Sequence, residues 1–186
     1  MRPASRPGVT SPALSNLAKF FLLICILFAV MHFAHSSADF KGAKDPIAAY
    51  ELTPTGQVVP VTVDPHATRY LALYHSAGWC GPCRAFTPRL EEFYEAAGRA
   101  GRKFQLVMIN LDRSQDDMVA YLRDHHVQFP ATMRAAAGAW AQSTGRGIPN
   151  LIIVDTQTGQ VISSCFRGDD YVGPGVPLAV LEGLNR

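Results

Sequence analysis

The stretch Trp79-Cys80-Gly81-Pro82-Cys83-Arg84 constrains the fold of this chain more than any other. It follows an apolar and aromatic run, Tyr70-Leu71-Ala72-Leu73-Tyr74-His75, that reads as a strand, and it precedes a helical pattern. A helix opening at Gly81 or Pro82 places Cys80 at its N-terminal end, where unpaired backbone N–H groups and the positive pole of the helix dipole favour a thiolate. Pro82 suits a first turn because its missing N–H would have no helical partner there, and Gly81 lets another backbone come close to the sulfur. Cys83 falls one turn further in, within disulfide reach and better shielded. Two such thiols can attack a disulfide with one sulfur and release the captured partner with the other. Cys80 is the candidate nucleophile and Cys83 the candidate resolving thiol. A lone C-x-x-C is equally half of a zinc site. The tryptophan before it, the strand upstream and the helix downstream favour redox chemistry.

The N-terminus reads differently from the rest. Arg2, Arg6 and Lys19 precede twelve uninterrupted apolar residues, Phe20 to Met31, and then His32-Phe33-Ala34-His35-Ser36-Ser37-Ala38. Residues 1–38 have the pattern of a secretory signal peptide, with Ser36 and Ala38 as the small residues before a cut after Ala38. The apolar run is short beside the roughly 20 residues of a membrane span, and retention as an uncleaved anchor is the alternative. Cys25 lies inside this run as a small hydrophobe. Loss of residues 1–38 removes Arg2, Arg6 and Lys19 and no acid, turning a formal charge of +2 into −1. The basicity belongs to the leader, so nothing argues for nucleic-acid binding. The expected localisation is periplasmic or otherwise extracytoplasmic, an oxidising compartment. Cys80, Cys83 and Cys165 then remain, an odd count that argues for one working pair plus a spare thiol. Cys165, in Val161-Ile162-Ser163-Ser164-Cys165-Phe166, reads as a packing residue, with an additional redox or intermolecular thiol as the alternative.

With 48% apolar and 17% charged residues in 186, the chain has room for one domain with a real core. Residues 39–57 read as an N-terminal extension, with Ile47-Ala48-Ala49-Tyr50 as a short helix and Pro54-Thr55-Gly56 as a turn. The proline inside Val58-Val59-Pro60-Val61-Thr62-Val63 confines that run to a sheet edge. Arg69 to His75 is expected as a central strand. The helix beyond Cys83 carries Phe86, Leu90, Phe93 and Ala97 on one stripe, contains Pro88, and ends at Gly98 and Gly101. Phe104 to Leu111 is a second buried strand, parallel to the first. Ser114 with Asp117 caps a helix reaching about His125. His125-His126 resembles half a metal site but reads as a solvated helix end, since no third ligand is near. Arg134 to Ser143 is expected as a short helix anchored by Trp140. Gly147-Ile148-Pro149-Asn150 leads into the strand Leu151-Ile152-Ile153-Val154-Asp155, and a hairpin at 155–160 joins it to the next. Residues 168–177 are expected as a loop, and Leu178 onward as a terminal helix.

Trp79-Cys80-Gly81-Pro82-Cys83 resembles the active-site pentapeptide of the thioredoxin superfamily. The longer stretch from Tyr74 through Arg84-Ala85-Phe86-Thr87-Pro88 to Leu90-Glu91-Glu92-Phe93-Tyr94 is more similar to the tryparedoxin and nucleoredoxin branch. The resemblance covers roughly residues 58–184 and implies a thioredoxin fold, an α/β architecture whose central mixed sheet has four to five strands flanked by helices, as one domain over 58–186. It implies that Pro149 is cis, facing the two cysteines, and that the Ile148 backbone pairs with an extended substrate segment while Cys80 attacks. Trp79, Gly81, Pro82, Ile148 and Pro149 would form the substrate platform. Typical thioredoxins also carry a buried aspartate six residues before the nucleophile and a lysine on the next parallel strand. Tyr74 and Met108 stand at those positions, so another group, Glu92, His75 or water, has to take the proton of Cys83.

The reading is an exported thiol–disulfide oxidoreductase without a bound cofactor or metal. Its partners are disulfide-containing protein clients and a membrane or exported electron donor, and the Gly-Pro dipeptide between the cysteines resembles that of reducing thioredoxins. Two rivals stand beside it: a thioredoxin-fold binding or adaptor module without turnover, and a dithiol protein that handles copper.

Overall fold

The computed structural model describes residues 38–186. Residues 1–37 of the leader, Cys25 among them, lie outside the described residues. The sheet is built around β3, Tyr70–Ser76, whose residues from Leu71 onward are all buried. A strand apolar on both sides needs cover on both faces. It lies parallel to β4, Phe104–Asn110, and antiparallel to β6, Asn150–Asp155. Outward from β4 come β5, Ala131–Met133, then β1, Ile47–Leu52, and β2, Val58–Val63, while β7, Gln160–Ser164, borders β6. The sheet order is β2-β1-β5-β4-β3-β6-β7. Pro60 sits in the edge strand β2, where its missing N–H removes no ladder bond on the solvent side.

The helices are α1, Gly81–Ala100, α2, Gln115–Asp124, and α3, Gly175–Leu184. Ala72 and Tyr74 of β3 pack in one cluster with Phe86 and Leu90 of α1, Met118 and Leu122 of α2, and Leu178 and Leu181 of α3. Leu71 and Leu73, on the other face, pack with Phe40, Ile47, Val63 and Trp140. That second face is covered by chain N-terminal to β3 and by two 3-10 turns, Arg134–Ala136 and Gly138–Ala141. Trp140 anchors it, stacked on Phe40 at 5.7 Å with its indole N–H donating to the Asp45 carbonyl at 3.0 Å.

Several expectations are corrected. Ile47–Tyr50 belongs to a strand, because Ile47, Ala49 and Leu52 turn inward while Ala48 stays exposed, and β1 pairs with β2 along its whole length. The sheet accordingly has seven strands in place of four to five. The helix expected over Arg134 to Ser143 is the pair of 3-10 turns. The loop at 168–177 contains a small hairpin, β8, Phe166–Arg167, with β9, Asp170–Tyr171, and α3 begins at Gly175 rather than Leu178. Pro177 does not delay it, since a first-turn N–H has no helical partner. Strand alternation predicts one of Tyr74 and His75 buried and the other nearer solvent; they do point to opposite faces, yet both are buried, at 0% and 1% exposure, because both faces are covered.

Ser114 caps α2 by accepting the Asp117 N–H at 3.1 Å, and Gly101 ends α1 at φ 86°. The latter helix runs on through Pro88, whose ring deprives the Arg84 carbonyl of its helical donor on the exposed side. Its inner face holds Cys83, Phe86, Thr87, Leu90, Glu91, Tyr94 and Ala97. Glu91 is the unusual member, a carboxyl only 7% exposed. Burial first of all, and Glu95 after it, push its pKa up to about 7, against the Gln128 backbone and Arg102. The unfolded chain ionises this group near 4.5, so the native state binds the extra proton between the two values. The contribution to stability is full below the lower value and is lost as pH rises through the higher one. Urea midpoints recorded across that window should fall with rising pH in the wild type, and Glu91→Gln should flatten the fall and be the more stable protein above neutrality.

Candidate active site

The end of β3 delivers the cysteines. After Ser76 the chain turns through Ala77-Gly78-Trp79, and the Cys80 N–H donates to the Ala77 carbonyl at 3.1 Å. Cys80 keeps an extended backbone and is the N-cap of α1, its sulfur accepting the Cys83 N–H at 3.2 Å. The two sulfurs are bonded, with Cα atoms 5.2 Å apart. In this capping position a Cys80 thiolate would meet the helix N-terminus and its dipole. Cys83 is fully buried and Cys80 is 6% exposed, while Trp79 stands out at 64%. Gly81 and Pro82 are exposed, and a Cβ at Gly81 would meet nothing within 4 Å, so the approach to the sulfur is open on that side.

The Ile148–Pro149 peptide bond is cis. The Ile148 carbonyl oxygen lies 3.7 Å from the Cys80 sulfur, and Ile148 and Leu111 flank the small cluster of Ala77, Cys80 and Cys83. This loop is braced from its surroundings. Asn150 donates to the Ser143 and Thr144 hydroxyls at 3.0 and 3.2 Å, and Tyr171 of β9 donates to the Pro149 carbonyl at 3.3 Å. The Phe166 ring of β8 lies against Gly145, where any Cβ would come within 2.3 Å of it. Only glycine fits there.

Tyr74 and Met108 are register partners across the parallel pair β3 and β4, so no charged pair stands behind Cys83. Hydroxyls stand there instead. Tyr74 donates to the Cys83 carbonyl at 3.2 Å and lies 3.0 Å from the Thr87 hydroxyl, which is 2.6 Å from Tyr121 OH. Burial above all pushes the Tyr74 phenol well above its ordinary pKa, so it serves as a neutral donor. Neither side chain considered as the proton acceptor is on this face. Glu92 is exposed, and His75 lies on the opposite face with Nε2 3.5 Å from the Ala141 carbonyl, its pKa lowered to about 4 chiefly by burial.

Thr87, Tyr121, Ser76 and Asp112 escaped the sequence reading. Thr87 could have been found as the residue one helical turn beyond Cys83; Asp112 had only its place at a strand end. Its carboxylate accepts the Gly78 N–H with both oxygens at 3.0 Å and the Asn110 amide at 2.9 Å, and so ties the turn before Trp79 to the end of β4. A groove of about 870 Å³ opens beside Trp79, lined among others by Arg84, Asp112, Tyr121 and His125. Cys165 is buried and accepts the Leu151 N–H at 3.0 Å, and burial raises its thiol to about 11. It is a packing residue. His125 packs edge-on against Tyr121 at 5.0 Å. Among the described residues no group of three or more His, Cys, Asp or Glu stands close enough to hold a metal ion, and no helix is long and apolar enough to cross a membrane.

Removing the Asp112 carboxylate should loosen the active-site turn. Asp112→Ala leaves the Gly78 N–H without its acceptor and should cost about 1–3 kcal/mol in urea unfolding, with slower attack by Cys80 on a disulfide. Asp112→Asn retains an acceptor oxygen and should lose less of both.

Residues 68–161 match the sequence profile of the Thioredoxin-like family, half of the chain. Bovine nucleoredoxin (Bos taurus) is 36% identical over 61% of this chain, which spans only 28% of that protein's length. Tryparedoxin of Trypanosoma brucei brucei is 35% identical over 51% of this chain and 67% of its own. Among solved structures, thioredoxin from Wuchereria bancrofti superposes with a TM-score of 0.50 at 25% identity, covering 74% of this chain and 95% of that one. The architecture is therefore the thioredoxin fold, enlarged at the sheet edge by β1 and β2. With the paired cysteines at the mouth of α1 facing a cis-proline, the chain belongs to the thioredoxin-like family, with nucleoredoxin and tryparedoxin among its relatives.

Proposed function

We propose that the protein is an exported thiol–disulfide oxidoreductase that reduces disulfides of protein clients. One observation carries the reading: the Cys80 sulfur caps α1 and at the same time lies 3.7 Å from the Ile148 carbonyl before cis-Pro149. A client segment laid in extended form along Ile148 would pair with its backbone and present a disulfide to Cys80. The thiolate attacks, one client sulfur leaves, and a mixed disulfide forms. Cys83, bonded to Cys80 in the oxidised form, then displaces the second client sulfur. Trp79, Gly81 and Pro82 form the exposed rim over which the client lies.

Reduction is the direction favoured by the Gly-Pro pair between the cysteines, and electrons would come from a membrane or exported donor. Export is supported by Arg2, Arg6 and Lys19 ahead of the Phe20–Met31 apolar run. N-terminal sequencing of the protein recovered outside the cytosol should begin close to Asp39.

Cys83→Ser tests the catalytic cycle. The variant should accumulate a Cys80-linked mixed disulfide with a disulfide-bonded protein such as insulin and lose turnover, whereas a binding module would behave as the wild type. The potential of the Cys80–Cys83 couple sets the direction: a value near about −270 mV accords with a reductant, and one near about −120 mV would make the protein an oxidant.

A further inference from the structure

Beside the cis-proline loop stands a tyrosine turned the opposite way from most at a surface. Tyr171 is 51% exposed, yet its hydroxyl points inward and donates to the Pro149 carbonyl at 3.3 Å. A surface tyrosine ordinarily buries its ring and leaves the hydroxyl in water. Here the polar tip is engaged by the protein and the ring is left to solvent. Burial raises the phenol above its ordinary pKa, so the hydroxyl stays a neutral donor. The ring is also held in place. It packs against Phe166, its register partner across β8 and β9, at 5.1 Å, and Phe166 is seated over Gly145 and Gly147, where a Cβ would meet it at 2.3 and 3.3 Å. A two-residue loop with Gly168 at φ 65° closes the hairpin, so the ring rides on a short, paired support.

The other side of the clamp is aromatic too. Trp79, next to Cys80, is 64% exposed. From the Cys80 sulfur the contacts run to the Ile148 carbonyl at 3.7 Å and, one residue on, from the Pro149 carbonyl to Tyr171. An extended segment paired with Ile148 meets a change there. Pro149 has no N–H to offer and its carbonyl already accepts from Tyr171, so main-chain recognition stops at Ile148. What the segment meets next is a neutral ring. Single exposed hydrophobics are common at a surface. Two aromatic rings bracketing one main-chain clamp, one of them with its only polar atom turned away from solvent, form a surface suited to apolar side chains.

We propose that the Tyr171 ring selects clients by packing against an apolar side chain close to the disulfide that Cys80 attacks. The inference rests on the disulfide-exchange reading above and adds to it the kind of sequence the client carries. An extended chain advances about 3.3 Å per residue, so the side chain over Tyr171 belongs to a residue about one or two places from the attacked cysteine. A carboxylate there would lose hydration and face the negative side of the ring, without a partner in return. Tyr171 touches no reacting atom. It determines which segment lies in the clamp, and the exchange of sulfurs at Cys80 proceeds as described.

The test uses the reduced full chain and short peptides whose central cysteine is held as a mixed disulfide with thionitrobenzoate. The Cys80 thiolate bonds to the peptide sulfur and thionitrobenzoate leaves with the electron pair, so its release in stopped flow reports the first attack. One peptide has serine at every other position, and the rest replace a single serine by leucine or by aspartate. In the wild type, leucine at one place should speed release about 10-fold over the all-serine peptide. Tyr171→Ala should abolish that gain, and Tyr171→Phe, which keeps the ring without its hydroxyl, should retain it. Tyr171→Arg should pass the gain to aspartate at the same place, a switch that a damaged fold could not produce. A wild type indifferent to leucine, leucine gains that all survive Tyr171→Ala, a Tyr171→Phe variant that loses the gain, or a Tyr171→Arg variant that gains nothing from aspartate would overturn the assignment. Equal slowing of every peptide by Tyr171→Ala would also overturn it and leave Tyr171 a brace of the loop. If the wild type releases no thionitrobenzoate from any peptide, the thiol–disulfide reading fails and not this inference alone.

Discussion

The hydrogen bond from the Cys83 amide to the Cys80 sulfur is the contact on which the site depends. It makes a cysteine the N-cap of α1, a position otherwise held by oxygen-bearing side chains. The same bond sets where the helix starts, which sulfur faces its unpaired N–H groups, and how deep the second sulfur sits. Placed one residue later, the cap would take Cys80 away from Ile148 and leave its sulfur outside the helix field. The Asp112 carboxylate serves this same contact from outside, by fixing the Gly78 amide and with it the path of the chain into the cap.

The two sulfurs live in different media. Cys80 lies between an exposed indole and the carbonyl of Ile148, whereas Cys83 lies against Ala77 with Leu111 beside it and hydroxyls below. Where a charged pair would answer this burial, the register partners Tyr74 and Met108 leave a neutral environment. Neutral donors stabilise a charge less than an ion does, but they need no counter-charge when the thiol is protonated or bonded.

How much of this was legible follows from which signals are local. The strand, cysteine pair and helix occupy consecutive residues, so their order could be read directly, and the cis-proline loop followed from a resemblance carried by two adjacent residues. The hydroxyl contacts behind Cys83 could not be read that way. Ser76, Thr87 and Tyr121 are far apart in sequence, and each alone is an ordinary side chain of a strand or helix. Only the packing of α2 against α1 brings them together. Ile47-Ala48-Ala49-Tyr50 was misread for a related reason. Two alanines favour a helix locally, and it is the pairing with Val58–Val63 that holds them extended. That both Tyr74 and His75 are buried is not local information either, because the cover for the second face of β3 comes from Phe40 and Trp140, separated from it in the chain on either side.

That cover bears on the site through β3. A sheet with β3 bare on one face would expose Leu71 and Leu73, and the strand that aims Cys80 would lose half of its packing. Phe40 and Trp140 close that face, and the turns carrying Trp140 continue into Ser143 and Thr144, the residues that Asn150 grips beside the cis-proline. At the other end of the loop, Tyr171 holds the Pro149 carbonyl and Phe166 fills the space that Gly145 leaves open. The clamp opposite Cys80 is thus held by two peripheral pieces, the 3-10 turns and the small hairpin.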